Sequence, residues 1–128
     1  MKLWIDDIRG APDSSWTVAR TVSEAIRYLA RFEMTEISID HDISHYTNLD
    51  ESDVEQQVYA CHETFGAVAY YMALKYRHRE HPKITIHSSN PVGAKEIHSI
   101  LADSLIPSEV KPYPPSLRRL EVGDNSLL

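Results

Sequence analysis

The chain has 128 residues with ordinary globular composition, 42% hydrophobic and 25% charged, which suits one folded domain and argues against disorder over most of its length. Its formal charge of −6 disfavours an extended nucleic-acid surface or an anionic membrane surface, because phosphate groups need a basic face. No apolar run approaches the ~18 residues of a membrane span. An acidic pair near the N-terminus and a single cysteine, Cys61, favour a cytoplasmic protein without disulfides.

Short apolar runs alternate with helical patterns along the chain, which is typical of a parallel sheet covered by helices. Thr21-Val22-Ser23-Glu24 is a capping box in front of one helical stripe. Asn90-Pro91 is a cap followed by a first-turn proline in front of another. In chain order the predicted elements are strands at 2–6 and 16–20, a helix at 22–32, a strand at 36–40, a helix at 64–79, a strand at 83–88, a helix at 91–103 and a strand at about 109–112.

The connection between the first two strands is too short for a helix. Residues 8–15 give eight positions, whereas a helical crossover needs a dozen or more. Eight extended residues reach ~26 Å and a five-residue strand spans ~17 Å, so a loop alone can return the chain to a parallel second strand. We therefore expect a sheet that lacks this helix and is thinly covered near its first strand.

Polar residues follow three of the predicted strands, where an open parallel sheet binds its ligands. Carboxylates that converge from separate strands repel one another unless a cation lies among them, and hard oxygen ligands suit Mg²⁺ or Mn²⁺. A histidine ligand would shift the preference toward Mn²⁺, Zn²⁺ or Fe²⁺, and an isolated aspartate there is more often a turn former. The predicted metal ligands are Asp6, Asp7, Asp40 and Asp42.

A phosphoryl group is the expected ligand of the same strand edge. Arg9 can clamp a phosphate through its guanidinium. Ser88 and Ser89 offer hydroxyls, and the helix that begins after Asn90 offers backbone N–H groups. His41 and His87 come from neighbouring strand ends, so they could flank one phosphorus as proton carriers, with Asp40 or Asp42 orienting an imidazole.

The order of these residues resembles the receiver domain of two-component response regulators. An acidic pair follows the first strand, Asp40 the third, Ser88 the fourth and Lys111-Pro112 the fifth. The missing helix, the two histidines and a polar insertion at 43–61 resemble a narrower family, the receiver-like domain that processes cyclic phosphates. Its motifs correspond here to IDDIRGAP, IDHD, the step Glu63-Thr64-Phe65-Gly66 and HSSNPVG.

This resemblance implies a receiver/flavodoxin-like three-layer α/β fold with a parallel five-stranded sheet in the order 2-1-3-4-5. It implies a metal-assisted phosphoesterase acting on cyclic phosphates of nucleotides or RNA ends. The implied catalytic residues are His41, His87 and Asp40, the phosphate-binding residues are Arg9, Ser88, Ser89, Asn90 and Lys111, and further pocket residues are Glu63 and Thr64.

Two other functions are compatible with the sequence. One is a signalling receiver that takes a phosphoryl group on Asp40, and the other is a non-catalytic module that binds a phosphorylated ligand. We expect one receiver-like domain at 1–116 and a flexible tail at 117–128, with a lid or a solvated excursion, and a short helix near 53–60, in the insertion.

Overall fold

The computed structural model of the protein describes residues 1–43 and 64–111. The short helix predicted near 53–60, the flexible tail predicted at 117–128 and Glu63 therefore lie outside the described residues. Within them the sequence forms five strands and three helices. In chain order these are β1 (Lys2–Ile5), β2 (Trp16–Ala19), α1 (Val22–Arg31), β3 (Glu36–Ile39), α2 (Gly66–Tyr76), β4 (Lys83–Ile86), α3 (Pro91–Ala102) and β5 (Glu109–Val110).

The five strands form one parallel sheet in the order β2-β1-β3-β4-β5, which confirms the predicted topology. Residues 6–15 connect β1 to β2 without a helix, as the shortness of that segment predicted. In the register, Ile5 pairs with Ile39, and Ile39 pairs with Ile86. The residues that follow these three strands therefore meet at one edge of the sheet.

The two faces of the sheet differ in chemistry because successive side chains of a strand point to opposite faces. Leu3, Ile5, Ile37 and Ile39 belong to one apolar core together with residues of all three helices. The alternate residues form the opposite face, which is aromatic and polar in the described part of the chain. This polar face carries Trp4 and Val18 with Ser38 and Thr85, and three of its members, Trp4, Ser38 and Thr85, are buried.

Element boundaries agree with the predictions to within two residues, except at α2, which was predicted at 64–79. Phe65 stands at its N-cap, fully buried in the core, and Gly66 begins the helix. The helix ends at Tyr76 because Arg77 is extended and His78 takes a left-handed conformation with φ of 62°. In the described residues, no helix has the length and hydropathy that crossing a membrane requires.

Candidate active site

Three polar side chains continue the polar face beyond the ends of three neighbouring strands. Asp6 follows β1, Asp40 follows β3 and His87 follows β4, so their alternation with core isoleucines places them beside Ser38 and Trp4. All three are buried, with exposed fractions of 0% for Asp6, 3% for Asp40 and 2% for His87. Buried charges need compensation, so this edge of the sheet is where chemistry is expected.

Three carboxylates converge at this edge. Asp6, Asp7 and Asp40 each offer an oxygen, and these oxygens all lie within 4.8 Å of one another. We call these three residues the acidic cluster. Their carboxylate oxygens are donors that Mg²⁺ and Mn²⁺ prefer, and the metal site that the sequence predicts at these three residues stays a prediction. Asp42, the fourth predicted ligand, lies outside the cluster.

The loop after β1 is organised around the carboxylate of Asp6. Its Oδ1 accepts hydrogen bonds from the backbone N–H groups of Ile8 (2.9 Å) and Arg9 (2.8 Å), which is the geometry of an Asx turn. The indole of Trp4 and the guanidinium of Arg20 both donate to the carbonyl of Arg9, at 3.1 and 2.7 Å. This loop therefore holds the backbone of Arg9 over the strand edge.

The side chain of Arg9 points into the acidic cluster. Its Nη1 lies 3.2 Å from Asp40 Oδ2 and 3.6 Å from Asp6 Oδ2, and its Nη2 lies 3.5 Å from the hydroxyl of Ser89. Ser89 is exposed, so the guanidinium bridges the buried carboxylates and the surface. The sequence predicted that Arg9 lies near the site, but it did not predict the direction of the Arg9 side chain.

The two buried carboxyls of the cluster have opposite pKa shifts. Burial and the neighbouring charge of Asp6 raise the pKa of Asp40 to about 6, against the opposing effects of His87 and Arg9. Burial also acts to raise the pKa of Asp6. The hydrogen bonds from His87 and from the backbone of Arg9 and Ile8 outweigh this effect, so the pKa of Asp6 falls below its usual value. Asp6 is thus the stably ionised member of the pair.

His87 is enclosed on the polar face. Its Nδ1 lies 2.7 Å from Ser38 Oγ and its Nε2 lies 3.0 Å from Asp6 Oδ2. The indole of Trp4 stacks on the imidazole, with ring centroids 3.9 Å apart and planes 8° from parallel. Both ring nitrogens and one ring face are therefore engaged by buried neighbours.

His41 lies on the other side of the strand edge, against α3. Its Nδ1 is 2.8 Å from Asp42 Oδ1 and its Nε2 is 3.0 Å from Glu96 Oε2. The ring packs on Gly93, where an added Cβ would overlap with the imidazole. A glycine at this position of α3 is what allows His41 to lie against the helix.

The family model of the cyclic-phosphate processing receiver domain matches residues 1–103, most of the chain. The chain belongs to this family. Its acidic cluster, Arg9 and both histidines lie within the matched residues. No curated protein and no solved structure matches the chain.

In this receiver domain the start of α3 is already capped. The side-chain oxygen of Asn90 accepts from the N–H groups of Val92 and Gly93, both at 3.1 Å, and its amide donates to Asp42 Oδ1 at 3.2 Å. These two N–H groups, which the sequence suggested for a phosphate, therefore bind Asn90 instead. The hydroxyl of Ser88 accepts from the N–H of Asn90 at 3.1 Å, so Ser88 also supports the helix start.

Two further predicted residues have partners outside the acidic cluster. The ammonium group of Lys111 lies 3.7 Å from Glu109 Oε2. Thr64 forms an isolated bridge with Asp42, and its hydroxyl accepts from the N–H of Gly66 at 3.1 Å. Thr64 is thus paired with Asp42, which also binds His41 and Asn90.

The candidate site residues described above therefore form two groups. The first is the acidic cluster with Arg9, Ser89 and His87. The second is the α3 network, which contains His41, Asp42, Asn90 and Glu96. The ring nitrogens of His41 contact Asp42 and Glu96, whereas those of His87 contact Ser38 and Asp6. Ser38 and Glu96 were missed by the sequence analysis, although Ser38 stands two positions before Asp40 and so shares its face.

Proposed function

We propose that this receiver domain is a metal-assisted phosphoesterase that opens cyclic phosphates of nucleotides or RNA ends. The observation that carries the proposal is the convergence of the acidic cluster with a guanidinium that reaches the surface beside Ser89. Membership in a family named for cyclic-phosphate processing supports the same substrate class.

The acidic cluster would hold the divalent cation. When bound, Mg²⁺ or Mn²⁺ supplies Lewis-acid stabilisation of phosphoryl charge and a more acidic water. Asp6 is ionised and fixed by backbone N–H groups, which suits a permanent ligand. Asp40 is buried beside it and would join it as a ligand.

Arg9 and Ser89 would hold the phosphate. A guanidinium presents two parallel donors that match the oxygens of a phosphate, and Nη2 of Arg9 already lies on the exposed side next to Ser89. The side chain of Arg9 is 22% exposed, so an incoming anion can reach it without unfolding of the loop.

His41 is the proton carrier we favour over His87. The carboxylates that face His41 belong to side chains that are 46% exposed (Asp42) and 54% exposed (Glu96), so substrate and water can replace them. The partners of His87 are buried. Both ring nitrogens of His41 face carboxylates, which accept hydrogen bonds only, so the doubly protonated ring satisfies both and is suited to protonate a leaving ribose oxygen.

A substrate screen tests the proposal. The purified protein is incubated with 2′,3′-cyclic nucleotides of all four bases, with 3′,5′-cyclic nucleotides and with RNA that ends in a 2′,3′-cyclic phosphate, each with Mg²⁺, with Mn²⁺ or with EDTA. We expect chromatography to reveal a monophosphate product only with a metal ion. No product from any substrate, together with a stable acyl phosphate on Asp40 after treatment with acetyl phosphate, would instead establish a signalling receiver. Binding of a cyclic nucleotide without turnover would establish a binding module.

A further inference from the structure

A buried hydrogen-bonded row crosses the polar face and ends at the acidic cluster. It runs from the hydroxyl of Ser38 through the imidazole of His87 to Asp6 Oδ2, with distances of 2.7 and 3.0 Å. Ser38 is 3% exposed, His87 2% and Asp6 0%, so water does not compete for these hydrogen bonds. Each member comes from a different strand end or strand of the sheet: β3, β4 and β1 in that order.

The row has one direction that satisfies every atom with a neutral imidazole. The backbone N–H groups of Ile8 and Arg9 both donate to Asp6 Oδ1, so Asp6 acts as a hydrogen-bond acceptor, and Nε2 of His87 must carry the proton of the hydrogen bond to Oδ2. Nδ1 is then an acceptor, and the hydroxyl of Ser38 donates to it. Asp6 therefore selects the tautomer of His87 that presents an N–H to it, and the hydroxyl of Ser38 supplies the donor that this tautomer needs at Nδ1.

The other contacts of these residues restrict their movement. The stacked indole of Trp4 fixes the plane of the imidazole. The backbone N–H groups of Ile8 and Arg9 hold Oδ1 of Asp6, while His87 holds Oδ2. The carboxylate of Asp6 is thus held at both oxygens, and its position relative to the other two members of the cluster is set before any cation arrives.

The order serine–histidine–aspartate is that of a hydrolase triad, but the arrangement cannot act as one. A nucleophilic serine must reach the substrate, whereas Ser38 lies within β3 and its side chain is buried on the polar face. The row instead ends at Asp6, which is a member of the acidic cluster. In metal sites, such outer hydrogen bonds orient the ligands, and loss of one typically lowers metal affinity 10–100-fold.

We propose that Ser38 and His87 are positioning residues that orient Asp6 for the divalent cation of the acidic cluster. This inference rests on the proposed function in its metal site, but not on turnover of a cyclic phosphate. It gives His87 a role that does not involve proton transfer to the substrate.

Calorimetric titration with Mn²⁺ tests this role without an activity assay. Ser38→Ala should weaken Mn²⁺ binding ~10–100-fold, and Ser38→Thr, which keeps the hydroxyl, should restore most of the affinity. Thr85→Val is the matched control, because Thr85 pairs with Ser38 across the sheet, is also buried, and should bind Mn²⁺ as the wild type does. Equal affinity of wild type and Ser38→Ala, or absence of Mn²⁺ binding by the wild type, would overturn the proposal.

Substitution of His87 separates positioning from proton transfer. The amide of glutamine can place an N–H near the position of Nε2, so His87→Gln should keep Mn²⁺ affinity close to the wild-type value. His87→Leu, which has no donor, should lose it ~10–100-fold. Equal losses in the two folded variants would contradict an orienting hydrogen bond.

Nitrogen-15 NMR of the wild-type protein provides a test that needs no variant. The shifts of the His87 ring should show a protonated Nε2 in metal-free buffer at neutral pH. A ring whose Nε2 lacks a proton would overturn the proposal. If Mn²⁺ binding and the NMR result are as expected while no cyclic phosphate is opened, the positioning role stands and the proposed phosphoesterase function fails.

Discussion

The Nη1 atom of Arg9 lies 3.2 Å from Oδ2 of Asp40, so a guanidinium directly contacts a buried carboxylate of the acidic cluster. Asp40 is buried and feels the charge of Asp6, which together raise its pKa to about 6. Arg9 opposes that shift and also lies 3.6 Å from Asp6. In the metal-free protein, Arg9 thus supplies positive charge where the proposed cation would also supply it.

Removal of the guanidinium should make stability depend more strongly on metal. In EDTA we expect Arg9→Ala to lower the free energy of unfolding by about 1–3 kcal/mol, because a buried acceptor loses its partner. Saturating Mg²⁺ should stabilise Arg9→Ala more than the wild type, as measured by urea denaturation. Arg27→Ala, which removes an exposed arginine of α1, is the control for the change in net charge. The prediction is wrong if Arg9→Ala and Arg27→Ala respond alike to metal.

The raised pKa of Asp40 predicts a pH-dependent gain from Asp40→Asn in EDTA. Folding favours the protonated form of this carboxyl, so Asp40 penalises the folded state increasingly as pH rises from about 4 to about 6 and by a constant amount above that. A pKa change from 3.8 to about 6 corresponds to about 3 kcal/mol. Asp40→Asn should therefore be stabilised relative to wild type at pH 7.5, and the gain should be about a third as large at pH 4.5. A gain that grows as the pH falls would contradict this assignment.

A double-mutant cycle tests the contact between Gly93 and His41. The Cβ of Gly93→Ala would overlap with the imidazole, so this variant should lose about 1–3 kcal/mol of unfolding free energy. In the His41→Ala background the same change should be neutral or stabilising by up to about 1 kcal/mol, because alanine favours the helix. Gly10→Ala is the control for a glycine substitution, because a Cβ at Gly10 would have no atom of the described residues within 4 Å apart from its chain neighbours. Equal effects of Gly93→Ala in both backgrounds would exclude the contact.

Kinetics should distinguish the two histidines. His41→Ala should reduce turnover of a cyclic nucleotide by ~10²–10⁴-fold, the usual loss for a general acid, with Mn²⁺ affinity unchanged. The basic limb of the pH–rate profile, where deprotonation of a general acid lowers the rate, should disappear in this variant. His98→Ala is the control, since His98 lies on α3, the helix against which His41 packs, and its Nδ1 lies 2.8 Å from the hydroxyl of Ser108. Near-normal turnover by His41→Ala would remove it from the reaction.

The fold could be predicted from the sequence because each element carries a local signal. The capping box before α1 and the Asn90-Pro91 start of α3 fixed two helices, and the Thr21 and Asn90 side chains do cap them. The short connection between β1 and β2 excluded a helical crossover there on length alone. The end of α2 was missed because the left-handed conformation of His78 has no sequence signal comparable to glycine.

The sequence predicted that the aspartates of the candidate site converge, but it did not predict how the two histidines are arranged. Asp6, Asp7 and Asp40 converge because parallel strands end at one edge. His41 directly follows Asp40, so strand alternation turns it toward α3, whereas His87 shares the face of Ser38. Glu96 depends on the rotation of α3 about its axis, which the sequence does not fix.

The most direct test of the phosphoesterase assignment is a phosphorus-31 NMR time course of a 2′,3′-cyclic nucleotide with the wild-type protein. Mg²⁺ is used because it does not broaden the resonances. We predict that the cyclic-phosphate resonance is replaced by that of a monoester after Mg²⁺ is added, and that conversion stops when EDTA is added in excess. A cyclic-phosphate resonance that persists unchanged with saturating Mg²⁺, for every base tested, would contradict the account.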